Sequence, residues 1–121
     1  MILIVDDIRA NIIALQKILE LHGLVADAAE SGEEALLKIL KSDYSLIILD
    51  VQMPGMDGLE ATRRIRATGF GAPIVALTAD AMPEDAARCL AAGMQAHLAK
   101  PVSRAQLEKM LHRWAGARAV V

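Results

Sequence analysis

The chain has 121 residues, is 55% hydrophobic and 23% charged, and carries a formal net charge of −2. Its length fits one globular domain, and its 13 basic and 15 acidic residues, with only 2% aromatics, exclude the basic, aromatic surface of a nucleic-acid binder. The single cysteine excludes a disulfide framework, and no uncharged apolar run approaches the roughly 18 residues of a transmembrane helix. We therefore expect one cytosolic domain over residues 1–121, without direct contact with nucleic acid or membrane.

Five short apolar segments alternate with segments of helical periodicity, which predicts an α/β domain built on a parallel sheet. In chain order, the predicted strands are Met1–Val5, Leu24–Ala28, Leu46–Leu49, Pro73–Leu77 and Gln95–Ala99. The predicted helices are Ile8–His22, Gly32–Lys41, Gly58–Ala67, Pro83–Ala92 and Arg104–Trp114. The second strand has the weakest signal, so we expect it at an edge of the sheet.

Capping residues mark where several of these helices begin and end. Three predicted starts carry a side-chain oxygen followed three residues later by Glu or Gln, namely Ser31 with Glu34, Asp57 with Glu60, and Ser103 with Gln106. This spacing is that of the capping box, in which the two side chains satisfy backbone amides of the first turn. Gly23 and Gly93 stand where the first and fourth helices should end.

Four of the five predicted strands end at residues that can bind a metal ion or a phosphoryl group. These residues are Asp6 with Asp7, Asp50, Thr78 and Lys100. Each one by itself has an ordinary interpretation, as a turn residue, a β-branched strand residue or a surface charge. Ligands of open parallel sheets, however, bind at the carboxyl ends of the strands, so we expect these side chains to converge. Their joint occurrence predicts one small acidic pocket.

The position of Asp50 indicates which ligands and which reaction that pocket would support. It follows the apolar run Leu46–Leu49, where an unpaired carboxylate would be costly to desolvate unless a metal ion or a lysine lay nearby. Mg²⁺ prefers oxygen ligands and is usually held by one or two carboxylates plus phosphate, which Asp6, Asp7 and Asp50 would suit. A carboxylate can also act as the nucleophile that forms an aspartyl-phosphate.

Several segments of the sequence resemble response-regulator receiver domains, in order and at suitable spacing. They are residues 2–7 (ILIVDD), Asp50 with residues 53–58 (MPGMDG), residues 76–79 (ALTA), and Lys100–Pro101. The resemblance covers essentially the whole chain and implies a flavodoxin-like, doubly wound (βα)5 fold. Its five-stranded parallel sheet would have the strand order 2-1-3-4-5.

The subgroup that the chain resembles implies its signalling context. Residues 58–66 and 76–81, together with Asn11, are similar to receiver domains of hybrid sensor histidine kinases. This implies a phosphoacceptor domain of a two-component or phosphorelay system, with a histidine kinase or a histidine phosphotransfer domain as partner and a covalent fusion to a sensor kinase as one arrangement. Such a domain is a regulator and not an enzyme, beyond assisting its own phosphorylation and dephosphorylation.

The resemblance also implies a role for each acidic residue. Asp50 would accept the phosphoryl group from a phosphohistidine. Asp7 and Asp50 would bind Mg²⁺ or Mn²⁺ directly, together with the backbone carbonyl of Gln52. Asp6 would act on the metal mainly through a bound water.

The remaining site residues would contact the phosphoryl group or respond to it. By the same resemblance, Lys100 pairs with phosphoryl oxygens, Thr78 donates a hydrogen bond to one of them, and the Lys100–Pro101 peptide bond is cis. His97 stands where many members of the family carry a switch Tyr or Phe, so we expect a switch built from Thr78 and His97. Its output surface would be the fourth helix, fifth strand and fifth helix.

Three alternatives use the same fold or chemistry. A phosphohydrolase that forms an aspartyl-phosphate usually places a second Asp two residues after its nucleophile, and this chain has Gln52 there. A flavin-binding module would need a phosphate loop rich in Ser, Thr or Gly after the first strand, whereas Asp6 and Asp7 would repel a phosphate. A receiver-like domain that docks without being phosphorylated would not need the intact set of site residues.

Overall fold

The structure is a computed structural model that describes residues 1–53, 55–79, 83–100 and 102–113. Its strands are β1 (Ile2–Val5), β2 (Ala26–Ala29), β3 (Leu46–Asp50), β4 (Ile74–Thr78) and β5 (Ala96–Ala99). Its helices are α1 (Arg9–Leu21), α2 (Gly32–Lys41), α3 (Gly58–Ala67), α4 (Pro83–Ala92) and α5 (Arg104–Leu111). All strand pairs are parallel, in the order β2-β1-β3-β4-β5, so the predicted topology is confirmed.

The sheet is covered on both faces, which explains why its three central strands are apolar at consecutive positions. Every residue of β1, β3 and β4 is buried. On one face, Leu3 and Leu49 join a core cluster with residues of α2, α3 and α4; on the other, Ile4 and Ile48 join a cluster with residues of α1 and α5. None of the described helices is long and apolar enough to cross a membrane.

Helix boundaries follow the predicted capping chemistry closely. α2, α3 and α4 have the predicted bounds. Each predicted cap side chain accepts a hydrogen bond from the backbone N–H three residues later: Ser31 from Glu34, Asp57 from Glu60, and Ser103 from Gln106. Among these three helices only α5 completes the capping box, because the Glu34 carboxylate accepts a hydrogen bond from Glu30 N instead, and Glu60 pairs with Arg64. α5 is described as a helix to Leu111, and the predicted end at Trp114 lies outside the described residues.

The second strand begins two residues later than predicted, at Ala26. Leu24 is apolar, but it completes the end of α1: its N–H donates to Leu19 O, and the N–H of Gly23 donates to Glu20 O. Gly23 has a φ of 72°, the left-handed conformation that this helix ending requires. The apolar pattern alone therefore assigned a helix-ending residue to the strand.

Candidate functional site

The carboxyl ends of β1 and β3 bring three carboxylates together. Asp6 and Asp7 follow β1, and Asp50 is the last residue of β3, the neighbour of β1 in the sheet. One carboxylate oxygen from each residue lies within 4.8 Å of the other two. Asp6 and Asp50 are 0% and 1% exposed, whereas Asp7 is exposed. We call these three residues the acidic cluster.

The buried Asp50 carboxylate has a partner on each oxygen. Lys100 Nζ lies 2.9 Å from Asp50 Oδ2, and the backbone N–H of Gln52 donates to Oδ1 over 3.0 Å. Lys100 reaches Asp50 from the end of β5, where its own N–H donates to Thr78 O over 2.7 Å. These contacts offset the cost of taking a carboxylate out of water. The sequence analysis expected a metal ion or a lysine near this carboxylate, and the structure places Lys100 there.

Asp6 is the most enclosed member of the acidic cluster. Its Oδ1 accepts a hydrogen bond from Ile8 N (2.9 Å), and its Oδ2 accepts one from Asn11 Nδ2 (3.2 Å). Burial raises the pKa of the Asp6 carboxyl above its ordinary value, and the nearby charge of Asp50 adds to this rise. The two hydrogen bonds and the charge of Lys100 act in the opposite direction on that pKa without reversing the rise.

The structure places Thr78 at the carboxyl end of a strand, as the sequence predicts. It is the last residue of β4, the strand between β3 and β5, and it is 5% exposed. It lines a cavity of about 310 Å³ together with Gln52, Arg88 and Cys89. The structure thus places Thr78 between the strands that carry Asp50 and Lys100.

The chain after Asp50 is held against β3 by a close backbone approach. Gly58 N donates to Val51 O over 3.0 Å, and Asp57 caps the start of α3. A Cβ atom at Gly58 would lie 2.5 Å from Val51 Cα and 2.6 Å from Asp50 O. The glycine therefore allows α3 to begin directly beside the end of β3, where Asp50 lies. Pro54 lies outside the described residues.

His97 lies in β5, three residues before Lys100, and is not a member of the acidic cluster. It is half-buried in β5, opposite Ala76 of β4. Its neighbours Ala96 and Leu98 pack on the α1 and α5 side of the sheet, so strand alternation directs the His97 side chain to the α4 side. The position suits the predicted switch surface, but the switch itself stays a prediction. The predicted cis Lys100–Pro101 bond lies outside the described residues.

One contact of the site, that between Asn11 and Asp6, was absent from the sequence analysis. The sequence marked Asn11 only as a feature of hybrid-kinase receivers. A signal was available, because Asn11 lies four residues before Leu15, a buried residue of α1, and an amide on that face of the helix needs a hydrogen-bond partner.

A family model described as the response regulator receiver domain matches residues 2–112. The chain belongs to the response-regulator receiver family. Its receiver domain is thus a regulatory signalling domain of two-component and phosphorelay systems. It is 41% identical over 120 residues to the sensor protein GacS of Pseudomonas syringae pv. syringae, covering 95% of this chain and 13% of that protein. The chain therefore spans a small part of the length of this relative. The predicted resemblance to receiver domains of sensor kinases is confirmed.

Two solved structures show what similar receiver domains bind. The receiver domain of the sensor histidine kinase PA1611 from Pseudomonas aeruginosa PAO1, with a magnesium ion coordinated in its active-site cleft, has a TM-score of 0.85 and 39% identity and covers 95% of this chain and 96% of that one. A co-crystal structure of the Saccharomyces cerevisiae histidine phosphotransfer signalling protein Ypd1 with the receiver domain of Ssk1 matches with a TM-score of 0.90 and 31% identity, over 98% of this chain and 90% of that one.

Proposed function

We propose that this receiver domain accepts a phosphoryl group on Asp50 from a phosphohistidine of a histidine kinase or a histidine phosphotransfer domain. The observation that carries the proposal is the Asp50 carboxylate, buried at a strand end, paired with Lys100 at 2.9 Å and joined to two further carboxylates within 4.8 Å. A carboxylate serving only stability would not need two like charges beside it.

The donor set of the acidic cluster fits Mg²⁺ or Mn²⁺, which take oxygen ligands. Asp7 and Asp50, with the backbone carbonyl of Gln52, would hold the metal ion directly, and Asp6 would act through a water. When bound, the ion supplies positive charge that offsets the repulsion among the carboxylates and the incoming phosphoryl group. The exposed Asp7 leaves the cluster open to an ion from solvent.

Asp50, Lys100 and Thr78 would each have a separate role in the phosphoryl transfer. An oxygen of Asp50 forms the new bond to phosphorus as the bond from phosphorus to the donor imidazole nitrogen breaks, and the electron pair of that bond stays on the imidazole. The Lys100 ammonium, which pairs with the Asp50 carboxylate before transfer, pairs with the phosphoryl oxygens after it. The Thr78 hydroxyl donates a hydrogen bond to one of those oxygens. Catalysis here consists of positioning and charge neutralisation.

The residue at position 52 favours a regulator over a hydrolase. Gln52 contacts Asp50 through its backbone N–H, and its side chain is exposed. An amide side chain cannot supply the general acid and base that fast hydrolysis of an aspartyl-phosphate needs. We therefore propose a domain that stays phosphorylated long enough to signal. A cytosolic setting and fusion to a sensor kinase remain predictions.

Intact-mass spectrometry after incubation with phosphoramidate and Mg²⁺ tests the proposal. We expect one added phosphoryl group on the wild type and on Asp57→Asn, which changes an exposed aspartate seven residues away. We expect none on Asp50→Asn. Labelling of Asp50→Asn to the wild-type level would overturn the assignment.

A further inference from the structure

The orientation of Asp6 depends on two hydrogen-bond donors from different sources. Ile8 N is a backbone group fixed by the turn between β1 and α1, and it binds Oδ1 over 2.9 Å. Asn11 Nδ2 is a side-chain group, and it binds Oδ2 over 3.2 Å. The terminal torsion of an aspartate is broad, so one donor would leave the carboxylate plane free to rotate. Two donors on different oxygens fix that plane.

The side chain of Asn11 makes this hydrogen bond and no other among those of the described residues. It lies in the first turn of α1, is half-buried, and borders a cavity of about 400 Å³ whose other lining residues include Leu15, Lys100 and Val102. The described hydrogen bonds give its amide a single partner, Asp6. An apolar residue would fill this face of α1 better, so the amide is explained by its hydrogen bond.

We propose that Asn11 is a positioning residue for the metal site, acting through Asp6. A carboxylate has about four lone-pair positions, and the two protein donors occupy two of them. The remaining positions then keep a fixed direction and are available to water on a metal ion held by Asp7 and Asp50. This inference rests on the proposed function, since it assigns Asn11 a part in the same site.

The chemical type of residue 11 matches this role. A lysine or arginine there would bind Asp6 more strongly but would place a positive charge where the metal ion is to sit. An aspartate would add a fourth negative charge to the acidic cluster and would offer no donor. An amide is neutral and donates, so it orients Asp6 without changing the charge of the site.

The proposal predicts that Asn11→Leu, a substitution of similar size without a donor, weakens Mg²⁺ binding. Removing a residue that hydrogen-bonds to a metal-ligating side chain typically weakens metal binding by about 10–100-fold. Because Asp6 would act through a water, we expect an effect near the lower end of that range. We expect the Mg²⁺ dissociation constant to rise about tenfold, with a matching rise in the Mg²⁺ concentration that half-saturates phosphorylation by phosphoramidate. Saturating Mg²⁺ should restore most of the phosphorylation rate.

Gln16→Leu is the matched control. Gln16 also lies in α1 and uses its amide for one long-range hydrogen bond, to Ala26 O over 3.1 Å, but it is remote from the acidic cluster. If loss of an amide from α1 acted only through stability, both variants would behave alike. We expect Gln16→Leu to keep the wild-type Mg²⁺ affinity.

The experiment is an NMR titration of backbone amides with Mg²⁺ for wild type, Asn11→Leu, Asn11→Ala and Gln16→Leu, followed by phosphorylation rates across the same concentrations. Asn11→Ala provides the same test if the leucine variant does not fold. Unchanged Mg²⁺ affinity in a folded Asn11 variant, or an equal loss in Gln16→Leu, would overturn the role of Asn11 and leave the proposed function intact. If the wild type itself bound no Mg²⁺, the proposed function would fail, and this inference with it.

Discussion

At the scale of single residues, the site is organised by the cost of buried charge. Asp50 is 1% exposed, and its main compensation is Lys100, whose side chain is 27% exposed. Removing one partner of such a pair leaves a charge without compensation, which costs more than the pair contributes as a whole. The same Lys100 is therefore a structural partner of Asp50 in this structure and the proposed partner of the phosphoryl group after transfer.

A double-mutant cycle measures this dependence. We expect Lys100→Met to lower the free energy of unfolding by about 2–3 kcal/mol, below the full cost of breaking a buried pair because Lys100 is partly exposed. In an Asp50→Asn background the same change should cost less than about 1 kcal/mol, because the side chain at position 50 then has no charge that needs a partner and Asp6 keeps its two hydrogen bonds. Urea denaturation in the absence of metal gives both values.

The exposed pair Arg64–Glu60, with its closest atoms 3.2 Å apart, is the control for that cycle. Its coupling free energy should be about 0.5 kcal/mol, as for other exposed pairs on one helix. Equal coupling in the buried and exposed pairs would show that Lys100 does not compensate the charge of Asp50.

At the scale of elements, the close approach of α3 to β3 determines where α3 begins relative to Asp50. We predict that Gly58→Ala lowers the free energy of unfolding by about 2 kcal/mol, because the added methyl group would overlap backbone atoms of Val51 and Asp50 and cannot be relieved by a rotamer change. Urea denaturation checks the value. Gly71→Ala is the control, since a Cβ there meets no atom within 4 Å and its change should be near zero. Similar losses in both variants would contradict the steric argument.

A second contact between elements makes stability depend on pH. His22, just after α1, places Nδ1 2.9 Å from Ile18 O and Nε2 2.9 Å from the Glu108 carboxylate of α5. The carbonyl of Ile18 and then Glu108 raise the pKa of His22, because both favour the doubly protonated ring. A raised folded-state pKa gives a contribution to stability that is fully present below the unfolded pKa and is lost as pH rises through the folded pKa.

We therefore predict that the stability difference between wild type and His22→Gln is largest near pH 6 and shrinks as pH rises above the ordinary histidine pKa of about 6.5. Urea denaturation across this range, with an NMR titration of the His22 ring, provides the measurement. Glu108→Gln should reduce the pH dependence without abolishing it, since Ile18 O remains. A stability difference that grew with pH would contradict the sign of the pKa shift.

At the scale of the whole molecule, features set by neighbouring residues could be predicted from the sequence, whereas contacts between distant segments could not. The bounds of α2 and α3 were predictable because Ser31 and Asp57 form caps with residues three positions away. The order of the strands came from resemblance, since apolar periodicity is the same for any arrangement of buried strands. The pattern indicates that the amide of Asn11 needs a hydrogen-bond partner, but it does not identify Asp6 as that partner, and it does not place Leu24 at the end of α1. Both depend on how a helix sits against the sheet.

Phosphorylation of Asp50 must also change the conformation of a surface to which a partner binds. We predict that beryllofluoride with Mg²⁺, a mimic of the phosphoryl group, shifts the backbone NMR signals of Thr78, Ala79 and His97 and of the α4 helix. Both states would pre-exist, and the mimic would change their populations. If Thr78 and Ala79 responded while His97 and α4 did not, the switch would fail as proposed although the phosphorylation site would stand.

The central claim, that Asp50 is the phosphoacceptor, is tested most directly by locating the modification. Borohydride reduces an acyl phosphate on aspartate to homoserine, which marks the modified position permanently. After phosphorylation with phosphoramidate and Mg²⁺, reduction and peptide mass spectrometry, we predict homoserine at position 50 and at neither of the other carboxylates of the acidic cluster. Homoserine at Asp6 or Asp7, or none in a fully folded sample, would contradict the account.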